Sequence, residues 1–424
     1  MAQHKHPSVL HPETDVLTRG FDPSLSVGSA RPAVFRSSTY VFSSPEAAER
    51  AFDLMGGRAQ RTPDENVDLV YSRFNHPNAQ ILEEQILPLE PGAVAAAAFN
   101  SGMAAIMTAL LAVLKPDDSI VYTTPIYGGT QTLIQGFLQS IGIEGIAVEA
   151  GAAAEIDAVI RSAQNLRVVL IETPANPTII MTDIKRVCET VGQLPPSAAN
   201  GHGKPVRPVV MIDNTFLGPA FQHPLALGAD VSIYSATKYL GGYSDIIGGV
   251  ALTNDMALMT PIRSKRSLFG NILQPDECWI LNTRLPTVTL RMNRQSKNAQ
   301  RIAEKLNGHP KIQKVYYPTL FDNAEQKRIF EEQCDHPGGI VSLDLRGGKK
   351  AAFDLLRHVQ LARNAVSLGG VETLACHPRS TTHSAWSAKD LDAAGIGEGL
   401  VRISCGIEDW EDLLADFEQA LSLC

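Results

Sequence analysis

The chain has 424 residues, of which 44% are hydrophobic and 19% charged. That apolar share suffices for a large buried core and excludes a disordered chain or a small disulfide-held scaffold, and the length predicts two to three domains. The balance of 37 basic against 45 acidic side chains leaves a net charge of −8, a poor match for nucleic acid or an anionic membrane surface. The cysteines Cys188, Cys278, Cys334, Cys376, Cys405 and Cys424 form no CxxC pair and no Cys/His metal pattern, so they read as reduced thiols and no metal site is expected. The opening MAQHKHPSVLHPETD lacks the apolar core of a signal peptide, and no stretch approaches about 18 uninterrupted apolar residues. A soluble cytoplasmic protein is expected.

Residues 1–70 are mixed, with a strand-like Ser38–Phe42, a helix over Pro45–Met55 that follows Ser43-Ser44, and a polar loop over 58–68. From Ile81 the pattern becomes regular. Apolar Ala95–Phe99 precedes an Asn100-Ser101-Gly102 turn and a buried helix over Met103–Leu114. Strands are predicted at Ser119–Tyr122, at Val168–Ile171 ending on Glu172, at Val209–Ile212 ending on Asp213, and at Val231–Tyr234 ending on Ser235, with a further apolar run over Ile246–Leu252. Helix-length segments at Ala152–Ala163 and Thr182–Leu194 alternate with them. This alternation predicts an α/β fold with a mostly parallel sheet covered on both faces. Leu194–Pro208, rich in Pro, Gly, Ser and Asn, reads as a surface loop.

After Arg291 the pattern changes. An amphipathic helix over Asn293–Leu306, a strand over Ile340–Leu345, a helix over Lys349–Val359, a strand over Val401–Cys405 and a closing helix over Trp410–Leu423 predict a smaller α+β unit. The expected division is an intersubunit segment over 1–70, a large domain over 71–290 and a small C-terminal domain over 291–424.

In an open parallel sheet, ligands bind beyond the C-terminal ends of the strands. Those ends offer Asp213, Ser235-Ala236-Thr237-Lys238 and Asn176, while the 100–103 turn opens a helix whose N–H groups suit a phosphate. A lysine, a carboxylate and hydroxyls facing a helix start suit pyridoxal phosphate. A nicotinamide-binding oxidoreductase is the alternative from another class, but no GxGxxG follows an early strand.

The segment VSIYSATKYLGGYSD, with Lys238 in SATKY, closely resembles the lysine motif of the Cys/Met-metabolism PLP enzymes, which include cystathionine γ-synthases and γ-lyases, methionine γ-lyases and homoserine sulfhydrylases. The resemblance extends through YSRFNHPN (71–78), NSGMAA (100–105), PIYGGT (125–130), ETPANPT (172–178), IDNTF (212–216), VSLGGVETLACHP (366–378), TTHS (381–384) and VRISCGIED (401–409). It implies PLP fold type I, the aspartate-aminotransferase-like architecture. It also implies that Lys238 holds the cofactor covalently and later shuttles protons. By the same resemblance Asp213 pairs with the ring nitrogen, and Ser235, Thr237 and the amides of Gly102 and Met103 hold the phosphate. Tyr127 stacks on the ring and exchanges a proton with the leaving group, Asn176 approaches the 3′-oxygen, Arg402 binds the substrate carboxylate, and Ser367 positions the lysine. Tyr71 and Arg73 are implied to reach a neighbouring subunit's phosphate site, which requires a homo-oligomer with shared sites, commonly a tetramer.

Members of this family carry out β- or γ-elimination or γ-replacement, and pocket shape decides among them. Many cystathionine-handling members carry a glutamate where this chain has Val366, while well-known methioninases carry a cysteine where it has Gly129. Tyr243 stands where a histidine is common and Arg379 where a small residue is common, and both are candidates to reshape the entrance. The resulting expectation is a γ-lyase acting on a homoserine-like L-amino acid with an S- or O-linked γ-group, such as methionine or canavanine. The alternative is γ-replacement by a cystathionine γ-synthase or O-acylhomoserine sulfhydrylase.

Overall fold

The computed structural model describes residues 10–62, 65, 67–195 and 207–424. Seven strands form the large sheet: β1 (Ala95–Phe99), β2 (Ser119–Thr124), β3 (Glu144–Glu149), β4 (Leu166–Glu172), β5 (Val209–Asp213), β6 (Val231–Ser235) and β7 (Gly249–Thr253). Their spatial order is β1-β7-β6-β5-β4-β2-β3. The β3-β2-β4-β5-β6 run is parallel, and only β7 is antiparallel to its neighbours β6 and β1. The mostly parallel sheet expected from the sequence is therefore present.

Both sheet faces are buried. On one face Val168, Leu170, Met211 and Ile233 pack with Ala105, Ala109 and Leu110 of the Gly102–Val113 helix. On the other, Val169, Ile171, Val210 and Ile212 meet Ile156 and Ile160 of the Ala153–Ser162 helix and Ile184, Val187 and Val191 of the Ile184–Gly192 helix. Strands buried on both sides require near-continuous apolar runs, which is why these strands were conspicuous in the sequence.

The second sheet contains β8 (Ile312–Tyr316), β9 (Ile340–Leu345), β10 (Arg363–Asn364), β11 (Leu374–Cys376) and β12 (Leu400–Ser404), in the order β10-β11-β12-β9-β8. Its core includes Val341, Leu343, Val401 and Ile403, packed with Ile302, Leu355 and Phe417 from three helices. The architecture is thus α/β with a large mixed, mostly parallel sheet and a second, smaller sheet. The Val288–Leu306, Gly348–His358 and Trp410–Ser422 helices lie close to their expected positions.

The Pro45–Met55 helix forms as expected, with Pro45 in its first turn and the Ser44 hydroxyl accepting from the Ala47 N–H at 3.1 Å. Other expectations require correction. Ser38–Phe42 makes only an isolated bridge, Thr39 to Tyr71, and Val41 is 95% exposed, so no neighbouring strand or core rewards extension there. The apolar Ile246–Leu252 run, to which no strand was assigned, pairs from Gly249 onward, and the Gly248 N–H before it donates to the Thr237 hydroxyl. The sequence reading also omitted β3, whose residues are largely exposed, and the Met256–Phe269 helix, whose Pro261 lies inside it. Most of the 194–208 loop, residues 196–206, lies outside the described residues.

That unanticipated helix is tied to the core by charge. Arg266 Nη1 donates to Glu83 Oε1 at 2.5 Å, Arg263 Nη2 reaches Glu83 Oε2 at 3.1 Å, and the same carboxylate accepts from the β1 amide of Ala98 at 3.0 Å. The Glu83 and Arg266 side chains are each only 3% exposed. Breaking a buried pair strands its partner, at a cost of about 3–5 kcal/mol. Arg266→Met is expected to lower unfolding free energy by about 3 kcal/mol, read as a fall in the denaturant midpoint. An unchanged midpoint contradicts the assigned burden.

Candidate active site

The parallel strands β2, β4, β5 and β6 end on Thr124, Glu172, Asp213 and Ser235. The reactive side chains gather at this edge, where helix starts and loops face the sheet.

The turn after β6 carries Lys238, whose backbone N–H bonds to the Ser235 carbonyl at 3.1 Å. Its Nζ donates to Ser367 Oγ at 2.7 Å. Ser367 lies between β10 and β11 of the second sheet, so this bond joins the two sheet units. The Ser367 carbonyl accepts from Arg402 Nη2 at 2.7 Å, and Arg402 Nη1 donates to Asn176 Oδ1 at 3.0 Å. Four residues singled out from the sequence thus form one chain: Lys238, Ser367, Arg402 and Asn176. Arg402 is 3% exposed, and its Nε meets no acceptor among the described residues.

Asp213 is nearly buried. Its Oδ1 accepts from the Thr215 amide at 3.1 Å and from the Thr215 hydroxyl at 2.5 Å, and that hydroxyl accepts from the Ser235 N–H at 2.9 Å. Burial raises the Asp213 carboxyl above its ordinary value, opposed by the Thr215 hydrogen bonds and the charge of Lys238. Burial, with Arg402 nearby, lowers the Lys238 amine to about 8. A larger neutral fraction makes it a better nucleophile and base near neutrality.

The Gly102–Val113 helix begins against Ser235. A Cβ on Gly102 would lie 2.9 Å from Ser235 Cβ and 3.0 Å from its Oγ, so only glycine permits this approach. Ser101 caps the helix through the Ala104 N–H at 3.0 Å, while the Gly102 and Met103 N–H groups precede the first intrahelical donor, Ala105. The Thr237 hydroxyl is engaged with Gly248, donating to its carbonyl at 3.2 Å and accepting from its N–H at 3.1 Å.

Tyr127 stands at the start of the Gly128–Thr132 helix with its side chain 45% exposed. Its N–H donates to Glu172 Oε2 at 2.8 Å, and the other Glu172 oxygen accepts from the Asn176 N–H at 3.0 Å. A Cβ on Gly129 would lie 2.7 Å from the Tyr127 ring and 3.0 Å from Met103 Sδ, so glycine here sets where the ring rests.

Tyr71 and Arg73 stand apart. Both are exposed, and Arg73 Nη1 donates to the Ser267 carbonyl at 2.7 Å rather than to any group of the Lys238 chain. The two entrance candidates are each held by local partners. Arg379 is held by Asp392 at 2.6 Å, Glu398 at 3.1 Å and the Ile396 carbonyl at 2.7 Å. Tyr243 lies under the Arg284 guanidinium, 4.7 Å from the ring centre, and Arg284 is bidentate to Asp245.

Three contributors received no role from the sequence. They are Glu172, Thr215 and His383, a fully buried imidazole kept neutral as burial and Arg402 lower it to about 4. The Asp-x-Thr spacing of Asp213 and Thr215 was the available signal for Thr215.

A half-buried amine of lowered pKa, a carboxylate at the next strand end and a glycine-opened helix start beside a serine suit an aldehyde cofactor bearing a phosphate. These donors fit pyridoxal phosphate. The comparisons agree with that class. The family model described as "Cys/Met metabolism PLP-dependent enzyme" matches residues 13–422. An L-methionine gamma-lyase of Fusobacterium nucleatum subsp. polymorphum is 37% identical over 93% of this chain and 94% of that protein. A cystathionine gamma-synthase of Mycobacterium tuberculosis is 35% identical over 98% of each. The solved structure of cystathionine gamma synthase from Xanthomonas oryzae pv. oryzae in complex with cystathionine superposes with a TM-score of 0.86 at 31% identity, covering 98% of both chains. This chain belongs to the Cys/Met metabolism PLP-dependent enzymes, and pyridoxal phosphate is its cofactor.

An amine must be neutral to attack an aldehyde, and we propose Lys238 as the amine that takes the cofactor. Because its pKa lies at about 8, the rate at which apoprotein takes up cofactor is expected to rise with pH through that value and then level off. Stopped-flow growth of the yellow absorbance measures it, and a flat profile across the same range contradicts the assignment.

Proposed function

We propose that this enzyme performs γ-elimination on an L-amino acid of the homoserine type, with a methionine-like thioether as first candidate and O-linked groups such as canavanine's also admitted. For methionine the balanced reaction consumes one water and yields methanethiol, 2-oxobutanoate and ammonia. The observation that carries the choice is Val366. It adjoins Ser367, is 51% exposed, and offers an apolar surface where a distal ammonium would need an acid. The 37% identity to a protein named L-methionine gamma-lyase supports the same reading.

When bound, the cofactor withdraws electrons from the carbon attached to the substrate nitrogen. In our reading Asp213 holds the ring nitrogen's proton, and Thr215 orients that carboxylate. Ser235, Thr237 and the Gly102 and Met103 amides bind the phosphate, for which Thr237 exchanges its Gly248 contact. Arg402 takes the α-carboxylate with Asn176 beside it. Lys238, once free, removes the Cα proton and moves protons at Cβ, with Ser367 limiting its reach. Tyr127 covers the ring and donates a proton to the departing γ-sulfur or γ-oxygen.

Tyr71 and Arg73, exposed and away from the Lys238 chain, complete the site of a second copy, so the active form is a homo-oligomer, a tetramer by family likeness. Residues 1–70 then serve as the intersubunit segment, 71–290 as the cofactor domain and 291–424 as the small domain. We place the enzyme in the cytoplasm, where its free cysteines stay reduced; among the described residues no helix is long and apolar enough to cross a membrane.

γ-Replacement is the second reading, favoured by the 35% identity to a cystathionine gamma-synthase over 98% of both chains. Methionine, canavanine, cystathionine and O-succinylhomoserine should be assayed separately for 2-oxobutanoate, with and without cysteine or sulfide. Methionine or canavanine is expected to give the keto acid without a thiol. A replacement product on adding thiol, with no keto acid from any substrate, overturns the lyase reading. Lys238→Ala is expected to be colourless after dialysis and to lose at least about a thousandfold in turnover, as loss of both nucleophile and base predicts. A yellow, borohydride-bleached variant contradicts the lysine's role.

A further inference from the structure

Glu172 ends β4 in register with Asp213 on β5, and its side chain is buried. Such a carboxylate ordinarily has a cationic partner in direct contact. Here both oxygens instead accept backbone N–H groups: Oε2 from Tyr127 at 2.8 Å and Oε1 from Asn176 at 3.0 Å. The two amides come from different loops, the turn after β2 and the segment after β4. Glu172 is itself located by its own N–H, which donates to Thr123 Oγ1 of β2 at 3.3 Å.

The groups facing Glu172 are Asp213 on the neighbouring strand, Arg402 from β12 and the two donated amides. Burial, with the like charge of Asp213, raises its carboxyl to about 8, the amides and Arg402 opposing. A carboxyl serving only as a structural plug would more economically be an amide or an apolar side chain. A glutamate supplies two oxygen acceptors spanning two loops, where glutamine supplies one and leucine none.

We propose that Glu172 is a positioning residue: its two oxygens fix the Tyr127 turn and the Asn176 segment relative to each other, setting the distance between the leaving-group side of the site and its carboxylate side. The inference rests on reading Tyr127 and Asn176 as site residues, and it deepens the proposed function by identifying what holds those two loops in common register. The Tyr127 ring is 45% exposed, so its backbone anchor contributes to its placement.

Hydrogen–deuterium exchange of cofactor-loaded protein tests this without reference to any substrate. In Glu172→Ala, the amides of Tyr127 and Asn176 are expected to exchange about twofold to tenfold faster, the range that losing one neutral hydrogen bond implies, while those of β5 are unchanged. Glu172→Gln, which keeps one acceptor, is expected to release one of the two amides and serves if the alanine variant fails to fold. Unchanged protection of both amides in a folded variant overturns the proposal.

The functional arm is a double-mutant cycle of Glu172→Gln with Tyr127→Phe, using whichever keto-acid-forming substrate the panel identifies. With cofactor content equal, kcat is expected to fall about tenfold in Glu172→Gln and to fall less than additively in the pair. Additive losses overturn the claim that Glu172 acts through Tyr127. Because amide exchange is independent of the reaction, an incorrect lyase assignment leaves that arm intact.

Discussion

The site depends on keeping four ionisable groups, three buried and Lys238 half-buried, compatible at one sheet edge. Asp213 and Glu172 are carboxylates on adjacent strands, while Lys238 and Arg402 bring positive charge from the β6 turn and from β12. Each charge alone would be expensive to bury. Together the opposite signs offset one another, with Thr215 and backbone amides satisfying the carboxylate oxygens. The cost that remains appears as displaced pKa values: the acids move up and the amine moves down, so both drift toward the range where proton transfer near neutrality is easy.

The geometry that permits this balance is the meeting of two sheets. Lys238 arrives after a parallel strand of the large sheet, and its hydrogen-bond acceptor arrives from the small one. The lysine turn and the segment after Ser367 interlock closely. A Cβ on Gly369, which has φ +77°, would lie 2.7 Å from the Tyr239 nitrogen, and the Val371 N–H bonds to the Gly242 carbonyl at 2.9 Å. Gln295 adds a side-chain bond to the Gly370 carbonyl at 2.6 Å. Placement of the amine is thus a property of the junction, not of either sheet alone.

The large sheet was legible because strands buried on both faces leave continuous apolar runs, as in Val209–Asp213. The chemistry was legible because reactive residues follow directly after those runs. β3 was not legible because, at the sheet edge and largely exposed, it needs no such pattern. The Met256–Phe269 helix was hidden by Pro261, which reads locally as a terminator although the surrounding packing tolerates it. Within the site, Lys238, Asp213 and Arg402 carried recognisable neighbours. Glu172 gained its importance only from backbone amides that no side-chain pattern encodes. Arg379, an entrance candidate from the sequence, is also held by Asp392 and Glu398 in a local ion cluster that only tertiary structure reveals.

Ser367 adopts φ +91°, a region that disfavours side-chain-bearing residues, while its hydroxyl meets the Lys238 ammonium and its carbonyl meets the Arg402 guanidinium. One residue, through its side chain and its backbone, therefore serves as a common latch for two cationic side chains. Replacing this one residue alters the surroundings of both cationic side chains together.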